Sequence, residues 1–472
     1  MLGQEQRSAG AGRQQFEFIS VSGTNIRGNA ETRRRVRSRA QADYRRRNPP
    51  PPRNALTVDL DVGSWLQALS REAATRPPHQ ALESAGMQPV LQSTEMMQIN
   101  TNEFGPISAD NSASIFELVP ADQRPRARQL WNHLYGGCVV FKSMIEIGFF
   151  NLLQGSASLT QMLSSSAWHM KSSSTEDDDE SSIDYARYSL MATRALRRRL
   201  DDPVQQASLE TITAILAFAA FANLTSNPQL INVHLDGLSH AISSVGGLAV
   251  LRHLPVIQIM MYWIDVRGSY LQDRKPRYPQ PYEILSTESK IRVAPMPAVE
   301  QLGSNGLLSQ DPAVKHIFEA IQQVNSLINA EAYTLGDVFW QSVLFPGFQL
   351  APILYDLLSL PRVTHGMASK FSIRRECFRL AGILYVSEVR AKFGMDNTGA
   401  TSFAQKLLRS LKSPEMLSSW ESDNFFLIWS LTIGSVSLCV PEALRLEFMD
   451  MLSERLTHSL PDVLPIASRL FI

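Results

Sequence analysis

Helix punctuation is what most narrows the possible folds of this chain. Asn227-Pro228 places a capping side chain before a proline at the first helical position, where the missing N–H leaves no bond unmade. Ile231, Leu235, Leu238, Ile242 and Val245 then recur at spacings of three and four, and Gly246-Gly247 supplies a left-handed stop. Asp202-Pro203 and Asp311-Pro312 repeat the start signal, and Ile317, Ile321, Val324 and Ile328 form the stripe after the second. Ser372 to Gly394 reads as another helix, with Ile373, Cys377, Leu380 and Leu384 on one face. Strand-like alternation is rare from about residue 124 onward, and no repeat of fixed 30–50-residue period marks a solenoid. The expectation is an all-α, irregular multi-helix array over 124–472.

Residues 1–123 read differently. Gln, Ser, Arg and Pro dominate, Pro49 to Pro52 form a proline run, and sustained periodicity is lacking, so this region is expected to be mostly disordered. Two islands interrupt it: Phe16 to Val21 (FEFISV), and Val58 to Leu69, where Trp65, Leu66 and Leu69 share a helical face. Within the helical part, the segment from Ser164 to Ser182 (SSSAWHMKSSSTEDDDESS) is expected to be a solvated acidic serine loop.

Basic and acidic residues number 45 each, so whole-chain charge signals neither nucleic acid nor membrane. The distribution is uneven: residues 1–53 hold twelve Arg against four acids, leaving a net −8 for the remainder. Arg33, Arg34, Arg35, Arg37, Arg39, Arg45, Arg46 and Arg47 crowd into fifteen positions. Such a segment suits the groove of an importin or the phosphates of a nucleic acid, and an ordinary solvated basic tail weighs about evenly with the import signal. It does not suit a basic leucine zipper, because Pro49 to Pro52 stop any helix that would continue into heptads.

The N-terminus MLGQEQRSAG carries no secretory apolar stretch, and no apolar run reaches the ~20 residues needed to span a bilayer. The longest, Ile212 to Ala222, fits a buried bundle helix. Cys138, Cys377 and Cys439 lie far apart, which fits small core residues in a reducing compartment.

Diagnostic catalytic motifs are missing: no phosphate-binding glycine loop, no Gly-x-Ser-x-Gly and no His-Glu-x-x-His. Asp59-Leu60-Asp61 reads as a solvated acidic turn, since it lacks the preceding strand that would position a carboxylate pair. His234 and His240 stand six residues apart on one helix, unlike the four-residue spacing of helical metal pairs, so His234 is expected at the edge of the core. Asp265 and Arg267, in the group WIDVRG, are expected to form a structural ion pair. No cofactor, metal or catalytic residue is assigned. In the acidic serine segment, Ser172, Ser173, Ser174, Thr175, Ser181 and Ser182 are candidates for acid-directed phosphorylation, each phosphate adding about −1.5 to −2 charge.

Several segments, in order, resemble the fungal-specific transcription factor domain: ALRRRLDDP (195–203), LETITAILAFAAF (209–221), HLDGLSHAISSVGGL (234–248), MYWIDVRGSYLQDRKPRYP (261–279), CFRLAGILYVSEVRAKFG (377–394) and FFLIWSLTIG (425–434). The resemblance spans roughly 124–460. FEFISV followed by RRRVRSRAQADYRRR is similar to the N-terminal segment of members that lack a zinc cluster. Three scattered cysteines fall short of the six that hold a binuclear zinc head. The resemblance implies a nuclear helical regulatory module, shuttling or not, that is no enzyme. It would act through protein or effector contacts with a DNA-binding transcription factor or the transcription machinery, without direct sequence-specific DNA binding of its own. The competing reading is a cytoplasmic helical scaffold that retains the fold.

Overall fold

Side chains that satisfy free backbone amides set where several helices begin. The computed structural model describes residues 115–467 apart from 138, 175–178, 203–204, 207, 245–246, 289–306, 364–368, 414–419 and 421–423. Among the described residues there are fifteen α-helices, short 3-10 turns and no strand. In chain order they are α1 (Arg124–Gly137), α2 (Val139–Glu146), α3 (Ser156–Ser173), α4 (Asp179–Asp201), α5 (Leu209–Leu224), α6 (Pro228–Ser244), α7 (Pro255–Gln272) and α8 (Tyr282–Glu288). They continue with α9 (Leu307–Gln310), α10 (Pro312–Leu335), α11 (Ala351–Ser359), α12 (Lys370–Lys392), α13 (Ala400–Leu411), α14 (Asn424–Val436) and α15 (Glu442–Ala467). The Arg-rich segment and both N-terminal islands lie outside the described residues, as do Asp59, Asp61 and Cys138.

Two of the three Asx-Pro signals start helices. The Leu230 N–H donates to Asn227 Oδ1 (3.1 Å) at α6, and the amides of Ala313 and Val314 donate to Asp311 Oδ1 (3.0 and 3.3 Å) at α10. Such caps contribute about 1 kcal/mol each. The Asp202-Pro203 expectation is corrected: α4 runs on through Asp201, and the next helix starts at Leu209 behind a Ser208 cap. Asp202 instead closes a turn, its carbonyl taking the amides of Gln205 and Gln206 and its carboxylate the side-chain amide of Gln205 (2.6 Å).

A second correction concerns the serine segment. Ser164 through Ser173 belong to α3, and Ser164, Ser165 and Ser166 are buried. Their hydroxyls find acceptors that the local sequence does not reveal: Ser164 Oγ donates to the Tyr185 carbonyl on α4 (3.2 Å), Ser166 Oγ to the Leu130 carbonyl on α1 (2.6 Å) and Ser165 Oγ to Gln161 within the helix (2.9 Å). Satisfied this way, a hydroxyl is cheap to bury and small enough to let helices approach closely. Asp179 and Glu180 occupy the first turn of α4, where the helix dipole favours acids. Buried structure also begins before the expected boundary at 124, with Phe116 and Val119 in the core.

Two hydrophobic cores result. The first gathers α1 to α6 around Leu130, Leu163, Tyr188, Leu216, Ile231 and Leu235. The second gathers α10 to α14 around Ile321, Leu357, Phe378, Leu384, Leu407 and Trp429. Helix α7 belongs to both: Ile257, Met260, Met261 and Ile264 enter the first, and Ile259, Tyr262, Val266 and Tyr270 the second. A helix buried on nearly every side needs apolar residues all round, and residues 256–264 are apolar except for Gln258. Gly268 lets α6 close on it, since a Cβ there would stand 2.6 Å from Ile231 Cγ2.

Beyond its C-terminus α7 is clamped by charge. Asp273, in the left-handed region at φ 48°, pairs with Arg379 (2.8 Å), Lys406 (2.6 Å) and Arg362 (3.4 Å). The Arg379 side chain is fully buried and also pairs with Glu376 (2.8 Å). Burial alone would push the Asp273 carboxyl up, but Arg379 and Lys406 hold it down at about 2. Among the described residues no single helix is long and apolar enough to cross a membrane.

Candidate functional site

A partly open, mainly apolar cleft of about 150 Å³ lies where α7 meets both cores. Helices α2 and α5 supply Met144, Ala220 and Leu224, α7 supplies Met260, Trp263 and Ile264, and the 343–354 segment supplies Val343 and Leu354. The Trp263 ring is held in place: its Nε1–H donates to the Gly347 carbonyl (3.0 Å), and Phe348 meets it edge-on at 5.5 Å. A side chain at 347 is impossible in this arrangement, because a Cβ would lie 2.3 Å from Trp263 Cζ2. The backbone there is a π-helical turn, Pro346–Leu350, a distortion of the kind that often accompanies functional sites.

One end of the cleft is polar. Arg267 on α7 pairs with Asp396, from the loop after α12, and reaches Ser226 Oγ (3.4 Å), from the loop after α5. Asp396 also accepts from the Thr398 amide (2.9 Å), the Thr398 hydroxyl (2.7 Å) and the Ser226 hydroxyl (3.2 Å). Burial would raise its carboxyl, yet Arg267 and these donors hold it below the ordinary value. Loops from both cores therefore meet on Arg267.

Arg390 is the other cation of the lining. Its guanidinium lies 5.9 Å from the centre of the Tyr270 ring, which Arg267 also covers at 5.2 Å. Burial, then the like charge of Arg267, depress its pKa to about 10, so it stays protonated at neutral pH. Among the described residues it has neither a salt bridge nor a hydrogen bond. Asn223, also in the lining, donates through Nδ2 to the Ile264 carbonyl (3.1 Å), while its buried Oδ1 has no partner.

The expected Asp265–Arg267 pair does not form. Two residues apart on a helix, the side chains project about 200° from each other. Asp265 instead accepts from the backbone amides of Arg277 (2.6 Å) and Tyr278 (2.9 Å), folding the chain after α7 back along the helix. Burial raises its carboxyl despite those two donors.

The phosphorylation candidates divide. Ser172, Ser173 and Ser174 are exposed at the end of α3, with Ser172 Oγ donating to the Trp168 carbonyl (2.8 Å). Thr175 lies outside the described residues, and Ser182 is half-buried. Ser181 is buried and its Oγ accepts from Arg126 (3.2 Å), so a kinase would have to open the first turn of α4 to reach it. His234 packs against Phe218 at 5.6 Å, and burial lowers its pKa to about 4, which keeps the ring neutral. His240 is exposed. Among the described residues no group of three or more His, Cys, Asp or Glu could hold a metal ion.

Sequence reasoning missed Arg390, Asp396, Asn223 and the Trp263–Gly347 contact. One signal was readable: Arg390 follows the buried Ile383 and Val386 at spacings of seven and four, which places a cation on the apolar face of α12.

Residues 143–284 match the family model of the fungal specific transcription factor domain. The match runs from α2 through α8 and covers under a third of the chain, including all of α7 and the N-terminal walls of the cleft. No curated protein and no solved structure matches the chain. The family connects the chain with transcription regulation.

Proposed function

We propose that this chain, whose residues 143–284 belong to the fungal-specific transcription factor domain family, is a nuclear transcription-regulatory protein that contacts promoters through a partner. The domain match carries the reading. Two features of the sequence support the rest: three cysteines cannot furnish the six thiolates of a binuclear zinc head, and the cluster from Arg33 to Arg47 offers a carrier such as importin a concentrated positive charge. In this reading the helical body presents surfaces to a DNA-binding transcription factor or to the transcription machinery, and its cleft receives an effector. Catalysis has no part in it.

Affinity purification of the native full-length protein tests the proposal. A DNA-binding factor or components of the transcription machinery should co-purify. A tagged protein excluded from nuclei under all growth conditions, with only cytoplasmic partners, would favour the scaffold reading instead.

A further inference from the structure

Charge is unbalanced at the polar end of the cleft. Arg267 and Asp396 neutralise each other, and Arg390 leaves one surplus positive charge facing an apolar space. The Arg390 guanidinium, half-buried and with neither carboxylate nor hydrogen bond among the described residues, is left free to receive an anion that enters the cleft.

We propose that the cleft binds a small organic monocarboxylate, with Arg390 taking the carboxylate and Met144, Met260, Trp263 and Ile264 enclosing an apolar body. The inference rests on the reading of the domain as an effector-responsive regulator and names the class of effector. Two quantities choose the ligand. About 150 Å³ is the volume at which an apolar protein cavity admits one benzene-sized molecule, so the body is limited to a single ring or a short branched chain. One surplus charge calls for one negative charge: a carboxylate meets the planar fork of an arginine with two parallel bonds, whereas a phosphate dianion would add repulsion against Asp396. Binding here also has a mechanical consequence. The walls come from α2 and α5 of the first core and from the 343–354 segment and α12 of the second, so an occupant bridges the two.

The test is calorimetric titration and thermal melting of the purified full chain with phenylacetate, with its neutral isostere phenylacetamide for comparison. Phenylacetate should bind saturably and raise the melting temperature, and phenylacetamide should bind at least tenfold more weakly. Arg390→Met should lose at least tenfold in phenylacetate affinity while melting, without ligand, at or above the temperature of the unaltered protein. Val343→Phe, which fills the cleft and leaves Arg390 in place, should also abolish binding, and it serves if Arg390→Met fails to fold. Absence of saturable binding to the unaltered chain, equal affinity for acid and amide, or undiminished binding by either folded variant would overturn the proposal. Those failures leave the transcriptional reading standing, since that rests on promoter contact and co-purifying partners.

Discussion

Arg267 pairs with Asp396, 129 residues further along the chain, and not with Asp265, its neighbour one turn-half away on the same helix. The pair brings together α7 and the loop that follows α12, and Ser226 joins from the loop after α5. A double-mutant cycle on Arg267→Met and Asp396→Asn should give a coupling energy of about 1 kcal/mol, modest because the Asp396 side chain is 55% exposed. The same cycle on Arg267 and Asp265 should be additive. Coupling in the second cycle and none in the first would restore the pairing expected from sequence.

Asp265 supports the fold through backbone. Asp265→Ala removes the acceptor for the Arg277 and Tyr278 amides and should cost about 2–4 kcal/mol in denaturant unfolding. Asp265→Asn keeps one acceptor oxygen and should cost less. Equal effects of the two substitutions would show that the amides are satisfied in some other way.

Two half-buried carboxylates should give opposite pH dependence. Burial, only partly offset by His316 and the Gln280 side chain, raises Asp356 from 3.8 to about 6, so the folded protein holds that proton more tightly than the unfolded chain does. Its ionisation therefore erodes stability as pH rises from about 4 to 6, and Asp356→Asn should remove that slope and stabilise the protein by about 2 kcal/mol at pH 7. Asp273, held at about 2, contributes stability that is complete above its ordinary 3.8 and is lost as pH falls toward 2. Asp273→Asn should cost about 2 kcal/mol at pH 7 and flatten the acid limb. Urea unfolding at a series of pH values reads both slopes, and a rise in stability between pH 4 and 6 that persists in Asp356→Asn while the unaltered protein shows no opposing contribution would contradict the assignment.

How much of this was legible in the sequence depended on where each side chain finds its partner. Asn227 and Asp311 bond to amides within three residues, so local pattern sufficed for the starts of α6 and α10. Ser164 and Ser166 bond to carbonyls on other helices, and from sequence alone their polarity reads as a loop. Asp202 carries the same Asx-Pro signature as the true caps, but competition from Gln205 diverts it into a turn. The cleft was harder still. Arg390 looks like one more helical arginine until tertiary packing sets it in the cleft beside Arg267, which takes Asp396 as its own partner.

Exposure orders the modification sites in α3 and α4. Ser172, Ser173 and Ser174 should carry phosphate in at least one growth state, while Ser181, bonded to Arg126 and buried, should stay unmodified. Phosphopeptide mapping of native protein decides, and modification of Ser181 alone would reverse the ordering.

For the basic segment, replacing Arg33, Arg34, Arg35, Arg45, Arg46 and Arg47 by Ala removes six charges from a stretch that the sequence predicts to be disordered, so the melting temperature should not change. Nuclear accumulation should fail, because a carrier reads clustered charge in the cargo rather than its fold. Normal import of the folded six-Ala protein would return the segment to a solvated tail.

Chromatin crosslinking of the tagged full-length protein, with and without the DNA-binding factor that co-purifies with it, bears most directly on partner-dependent transcription regulation. The account predicts enrichment at discrete promoters that disappears when the partner is deleted. Enrichment that persists without the partner, or none above an untagged control, would contradict it.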